Sequence, residues 1–456
     1  MRLKKILLAG IATIILLVIA VFSLANFLVG YSPVYLYNAP SVATGIGAKL
    51  ACSGRFVSGF DIEKTAQDIE VYSPILTMLD YQYDESQQAV SASLLGLKTR
   101  TAQYRPGVGC ALEYAGIDER SQIQWPVMKS PMAAWPKGNV IFTVNSDVQQ
   151  KLDAMLVADN TSGHDTRALL VVHKGKVIAE SYVDGIDADT PLLGWSMTKS
   201  LNSVVLGHLE MNGKVNVAET ELYPDWRNDA RGNIKLEDLL HMTDGLAYDE
   251  TYDPGQPAVR MLFQEPDAAA FVAQLPYRDE PGTHFTYSSG SANIIADIVQ
   301  QRIDGGVQED VNYIVNEIFR PMGMTSVQYE MDASGLFIGS SYLYATARDW
   351  ARLGQLMLNG GTLNGTRILS EDYVRRSLTP NTSENKTDYG YQWWLNTNPE
   401  KRRWQDLPAN TFAAMGNREQ RVLVIPDDEL VIVRMGWSPK DYVDNENFAE
   451  IRSWIQ

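Results

Sequence analysis

Ser196 and Lys199 stand three residues apart in Gly194-Trp195-Ser196-Met197-Thr198-Lys199. On a helix that spacing puts both side chains on one face, within reach of each other. A serine hydroxyl is a weak nucleophile until a base takes its proton. A lysine serves as that base once desolvation lowers its pKa and leaves it neutral. Leu201, Val204, Val205 and Leu209 continue an apolar stripe behind the pair, which predicts a helix with Ser196 in its first turn. There the free backbone N–H groups and the helix dipole favour a developing negative charge. The bare Ser-x-x-Lys pattern is weak, since about one match is expected by chance in a chain of this size. It does recur at Ser383-Glu384-Asn385-Lys386, among polar residues and without an apolar stripe, where it reads as a solvated loop. Taken alone, Ser196 reads equally well as an N-cap serine beside a surface lysine.

Two further elements break the tie. Pro281-Gly282-Thr283-His284-Phe285-Thr286-Tyr287-Ser288-Ser289 precedes a helical pattern through Ile294, Ile295 and Ile298. A Tyr-x-Ser turn before a helix can present a phenol to the same pocket, and a nearby cation shifts a phenol toward phenolate, able to relay a proton. The competing reading is a buried structural tyrosine, one of 22 in the chain. Near the C-terminus, Phe412-Ala413-Ala414-Met415-Gly416-Asn417 leads into a hairpin. Glycine at a strand edge admits a substrate close to the backbone. The N–H of Asn417 after it can then act as an oxyanion donor.

These groups need a scaffold. Asp147–Val157 reads as a helix with Val148, Leu152, Met155 and Leu156 on one face, and Ser146 with Gln149 fits a capping box. Ala168–His173 and Lys176–Tyr182 flank Lys174-Gly175 as a hairpin, and Arg421–Ile425 and Leu430–Met435 flank Pro426-Asp427-Asp428 as another. Asn445–Gln456 reads as a closing helix. Strands at both ends thus enclose a long, mainly helical middle. The expected class is α+β: an antiparallel sheet flanked by helices, with an inserted helical subdomain. Pro126, Pro131 and Pro136 mark a linker over 124–140, residues 31–60 read as an extended lead-in, and 61–135 are weakly periodic.

With 456 residues the chain divides into 1–30, 31–140 and 141–456. A net charge of −16 and the lack of a basic patch argue against nucleic-acid binding. Arg2, Lys4 and Lys5 precede an almost wholly apolar run from Ile6 to about Gly30. That is long enough for a membrane helix, and the flanking charge puts its start in the cytoplasm. The alternative is a cleaved signal with Ser23-Leu24-Ala25 as its processing site. Either way the catalytic part is exported, and the expected location is the inner membrane with the catalytic domain facing the periplasm. In that oxidising setting Cys52 and Cys110, the only cysteines, are expected to form one disulfide. The five histidines form no metal motif and no cofactor fingerprint is present, so neither metal nor cofactor is expected. Trp393 and Trp394 read as core rather than as a ligand platform.

Ser196-x-x-Lys199, Tyr287-Ser288-Ser289 and Ala414-Met415-Gly416, in this order and spacing, resemble the serine β-lactamase and penicillin-binding-protein superfamily. The resemblance covers about residues 145–456 and points to its class C β-lactamase-related branch, with family VIII carboxylesterases and 6-aminohexanoate-dimer hydrolases. Leu239-Leu240-His241-Met242-Thr243-Asp244-Gly245-Leu246, Tyr389-Gly390-Tyr391-Gln392-Trp393-Trp394 and Gly339-Ser340-Ser341 resemble it too. The resemblance implies that Ser196 forms an acyl-enzyme, Lys199 takes its proton, directly or with Tyr287, and Tyr287 protonates the leaving group. It also implies that the N–H groups of Ser196 and Asn417 hold the oxyanion. Tyr248 and Tyr252 both lie where nylon-oligomer hydrolases carry a substrate-contacting tyrosine, and Gly416 lines the same site. Penicillin-recognising members have Lys or His where Ala414 stands, and class C β-lactamases have Asn where Ser289 stands. An alanine cannot pair with a substrate carboxylate, and Arg418 or Arg421 is a candidate replacement. The expected function is therefore an exported serine hydrolase of a small-molecule ester or amide. The alternatives are a β-lactamase or D,D-peptidase, or a non-catalytic penicillin-fold binding protein. An α/β-hydrolase is disfavoured, because the second glycine of G-x-S-x-G is absent.

Overall fold

A computed structural model describes residues 32–385 and 388–455, with Gly10 and Thr13. Apart from those two residues, the expected membrane helix over 1–30 lies outside the described part. Among the described residues no helix is long and apolar enough to cross a membrane.

The region from Asn145 onward folds around a six-stranded antiparallel sheet, as its two hairpins lead one to expect. After a four-stranded sheet in the preceding region, β1 (Leu79–Asp84), β2 (Ala89–Leu94), β3 (Lys98–Arg105) and β4 (Gly109–Leu112), this one begins with β5 (Thr166–His173) and β6 (Lys176–Tyr182). It continues with β7 (Trp394–Leu395), β8 (Phe412–Gly416), β9 (Gln420–Ile425) and β10 (Leu430–Gly436), in the order β7-β8-β9-β10-β5-β6. The first and last parts of the domain meet where β10 pairs with β5, Val433 opposite Leu170. Alternation along the strands divides the core. Leu169, Val171, Leu423 and Ile432 face the helices Ser146–Thr161 and Asp444–Ser453. Ala168, Leu170, Val422 and Val433 face the other way, toward the central helix Met197–Met211 and the helix Ala347–Leu358. The cap of Ser146–Thr161 differs from expectation. Asn145 is the N-cap, its Oδ1 accepting from Asp147 N at 3.1 Å and Val148 N at 3.2 Å.

The lead-in is a helix, not an extended segment. We call it α1 (Pro33–Phe56); Ser32 caps it and Pro33 occupies its first turn, where a missing N–H costs nothing. Its pattern escapes a periodicity reading because many of the buried residues, Gly47, Ala48 and Ala51 among them, are small. They let α1 lie close on the four-stranded antiparallel sheet β1 to β4. A Cβ on Gly47 would stand 2.4 Å from Leu79 Cδ1. The disulfide Cys52–Cys110 ties α1 to β4. Leu50, Leu79 and Val90 from this unit share one hydrophobic cluster with Leu201 and Ile294 of the larger region. Buried Lys49 on α1 pairs with buried Glu330. Glu330 also accepts from Ser53 Oγ at 2.7 Å and Cys110 N at 2.8 Å.

Candidate active site

Ser196 is the N-cap of the central helix, and the backbone before it is forced. Trp195 adopts a left-handed φ of 47°, a conformation that costs a bulky residue about 1–2 kcal/mol. An aromatic cluster of Tyr72, Tyr342 and Trp437, with ring centroids 5.7 to 6.1 Å away, holds it there. Gly194 is needed for closeness, since a Cβ there would lie 2.1 Å from the Trp350 ring. Thr198 Oγ1 accepts from Leu343 N at 3.2 Å and fixes the first turn to the neighbouring strand.

Lys199 is buried and directs three bonds. Its Nζ lies 3.0 Å from Ser196 Oγ, 3.0 Å from Ser289 Oγ and 3.0 Å from the Ser340 carbonyl. Burial lowers its pKa to about 8, against a smaller upward pull from Glu250. A neutral amine has two N–H donors and one lone pair. With Ser289 and Ser340 as acceptors, the lone pair points at the Ser196 hydroxyl, as a general base requires.

Tyr287 completes the cluster. It lines one groove with Ser196, and its ring stands 5.0 Å from Lys199 Nζ. Tyr287 stacks on Trp394 at 5.5 Å and meets Tyr389 edge-on at 6.1 Å. Its loop is pinned by Thr286 N donating to the Met242 carbonyl at 2.9 Å. The following helix, Ser289–Ile303, is capped by Ser288 and anchored where Ser291 Oγ donates to Asp244 Oδ2 at 2.6 Å. The expectation of a phenol shifted toward phenolate is corrected. Burial and the Glu250 charge both push Tyr287 upward, so it is a neutral phenol at neutral pH.

Gly416 ends β8 against the loop that carries Ser196. A Cβ there would lie 2.1 Å from the Gly194 carbonyl oxygen, so only glycine lets the two backbones meet. Asn417 and Ser196 line one groove with Glu250, Tyr252, Tyr287, Trp394 and Met415. The two tyrosines now separate. Tyr252 is exposed in the groove and donates to Glu250 Oε1 at 3.0 Å. Tyr248 is buried beneath it, packed on Gly290, so a direct substrate contact through Tyr248 is corrected to a core role.

Glu250 escaped the sequence reading. Its carboxylate accepts from Ser289 N at 2.7 Å and Ser289 Oγ at 2.6 Å. It thereby orients the hydroxyl that receives Lys199. Its position between the two flagged tyrosines was the available signal. Trp394 also departs from a pure core reading, because it lines the groove, while Trp393 is fully buried. Ser383 is buried and Glu384 N donates to the Thr283 carbonyl at 2.8 Å. That second Ser-x-x-Lys segment is therefore packed on the Tyr287 loop rather than solvated, with Lys386 outside the described residues.

Neither arginine offers a free cation to the groove. Arg418 lies over the Tyr72 ring at 4.1 Å and donates to the Val71 carbonyl at 3.1 Å. Arg421 reaches the groove but is engaged by Glu419 and Asp444. Ala414 is fully buried. His284 is exposed beside Asn385. Among the described residues no three His, Cys, Asp or Glu side chains come together as a metal site.

A sequence model of the Beta-lactamase family matches residues 152–447. The 6-aminohexanoate-dimer hydrolase of Paenarthrobacter ureafaciens is 27% identical over 304 residues, 60% of this chain and 74% of that protein. In three dimensions the chain resembles EstCE1, a hydrolase with promiscuous acyltransferase activity. The TM-score is 0.56 at 14% identity, covering 68% of this chain and 98% of that one. A class C β-lactamase superposes with a TM-score of 0.54 at 11% identity, covering 68% and 97%. At such identities the two structures speak to the fold alone.

Proposed function

The chain belongs to the Beta-lactamase family, and we propose that it is an exported serine hydrolase that cleaves an ester or small amide through an acyl-enzyme on Ser196. The observation that carries the reading is the buried Lys199, held by Ser289 and Ser340 with Ser196 Oγ at 3.0 Å. In this scheme Lys199 accepts the Ser196 proton as Oγ attacks the carbonyl carbon. The backbone N–H groups of Ser196 and Asn417 hold the resulting oxyanion. The tetrahedral species collapses as Tyr287 O–H gives its proton to the leaving oxygen or nitrogen, and Lys199 returns a proton to Tyr287. Water, deprotonated through the same pair, then attacks the acyl carbon and releases Ser196. The amide activity named for the Paenarthrobacter relative is in keeping with this chemistry.

A β-lactamase or D,D-peptidase role is the weaker reading. Ala414 offers no cation, and Arg421 is already paired. A substrate carboxylate would forgo a charge-assisted hydrogen bond of about 1.5–3 kcal/mol. A purely binding role is disfavoured by the intact Ser196, Lys199 and Tyr287. The test is a nucleophile trap. A fluorophosphonate probe is expected to label Ser196. Turnover of p-nitrophenyl butyrate is expected to fall at least about a thousandfold in Ser196→Ala. No labelling and no turnover of esters, short amide oligomers or penicillins would refute the catalytic reading.

A further inference from the structure

A second chamber opens behind the groove, and α1 builds one wall of it. Its volume is about 280 Å³. Ala39, Val42, Ala43 and Ile46 of α1 face Val259 and Phe263 across it. Two residues, Tyr252 and Asn417, line both the chamber and the catalytic groove. Trp195, next to the nucleophile, is also in its wall. The α1 residues precede the family match at 152–447, so this wall of the chamber comes from the N-terminal unit, outside the matched region.

Its position relative to the scissile bond selects the occupant. A carbonyl oxygen held by Ser196 and Asn417 has its acyl substituent on one side and its leaving group on the side of the proton donor, Tyr287. Tyr287 lines the groove and not the chamber, whereas Asn417 lines both. We propose that the chamber is an acyl-chain pocket, and that the substrate carries an unbranched apolar acyl group of medium length. At about 30 Å³ for a water-sized group, the space holds a chain of roughly six to ten carbons. The wall is mainly aliphatic and aromatic, so recognition is by removal of apolar surface from water. The proposal rests on the serine hydrolase reading for its chemistry, and on the chamber alone for its binding.

The experiment uses the full chain in lipid nanodiscs, so that no detergent competes for the chamber. Two ester series separate the sides of the bond: p-nitrophenyl esters from acetyl to decanoyl, and alkyl acetates of rising alcohol length. kcat/KM is expected to rise about fourfold per methylene along the first series, and to stay level along the second. In Ala43→Phe, which fills the chamber, the octanoyl-to-acetyl ratio is expected to fall at least about tenfold. A ratio is unaffected by the fraction of enzyme folded, and comparison with the wild type cancels partition into lipid. A turnover-independent arm titrates Ser196→Ala with methyl octanoate and methyl acetate by calorimetry. Methyl octanoate is expected to bind at least about a hundredfold more tightly, and to lose that advantage when Ala43→Phe is added. A level acyl series, a preference on the alcohol side, or an acyl preference untouched by Ala43→Phe would overturn the pocket while leaving Ser196 chemistry standing. Absence of all turnover would overturn the catalytic reading, and the titration would still decide the pocket.

Discussion

As the proposed base, Lys199 carries two demands that conflict in water: it must be close enough to Ser196 to take a proton, and it must be uncharged. Burial moves it toward the second by lowering its pKa to about 8, so the neutral amine predominates only above that pH, and Glu250 opposes the shift. The sign of the pH dependence follows. Below about 8 most of Lys199 is ammonium with no lone pair for Ser196, so kcat/KM for a non-ionising ester should climb tenfold per pH unit and level off above about 8. Glu250→Gln removes the charge that favours the ammonium, so the rising limb should move to lower pH. A stopped pH–rate profile of both proteins checks this. A limb that stays in place in Glu250→Gln would show that its charge does not act on the base. At this scale the sequence was informative about what must react and silent about what must support it. Ser196, Lys199 and Tyr287, which the structure brings together, could be named as candidates because a nucleophile, a base and an acid require particular residue types at particular spacings. Glu250 could not, since a carboxylate is read as solvated until its partners, Ser289 N and Oγ, are seen. The direction of the Tyr287 shift was equally hidden, because it depends on burial and on Glu250.

Secondary elements set the spacing of the two N–H groups proposed as oxyanion donors. One stands at the start of the central helix, and the other follows the end of β8. They come together only because Gly416 lets β8 lie against the Gly194 carbonyl. Gly416→Ala would place a methyl 2.1 Å from that oxygen, and neither backbone can yield without moving a donor. Loss of one donor costs about a hundredfold to a thousandfold in kcat, so Gly416→Ala should fall in that range while fluorophosphonate-independent measures of folding, such as the thermal midpoint, change far less. An activity within a few fold of wild type would mean that Asn417 is not a donor. The sheet itself was legible, since its hairpins show period-2 runs about Lys174-Gly175 and Pro426-Asp427-Asp428. Helix α1 was not, because most of its buried residues are small. Small residues give no apolar periodicity, although they are what allow it to lie on β2 and β3.

Across the whole molecule the N-terminal unit is joined to the hydrolase fold by a shared core, and also by a buried charge pair. Lys49 on α1 and Glu330 on the other side are both almost inaccessible, and the Lys49 ammonium also sits 4.1 Å over the Tyr342 ring. Burial lowers the Lys49 pKa while Glu330 pulls it back up. Removing one partner leaves the other buried and unpaired, which costs about 3–5 kcal/mol, whereas replacing both by apolar groups of similar size is often neutral. Glu330→Gln should therefore lower the unfolding free energy by about that amount in a denaturant titration. Lys49→Met with Glu330→Met should recover most of it. If Glu330→Gln costs no more than a surface pair, about 0–1 kcal/mol, the joint between the units is apolar packing alone. The position of the pair makes the result bear on function. Lys49 lies one turn along α1 from Ile46, and Tyr342 packs on Trp195. A joint loosened by Glu330→Gln should therefore widen the chamber behind Asn417 and blunt acyl-length selectivity. The paired Met variant should restore stability and selectivity together.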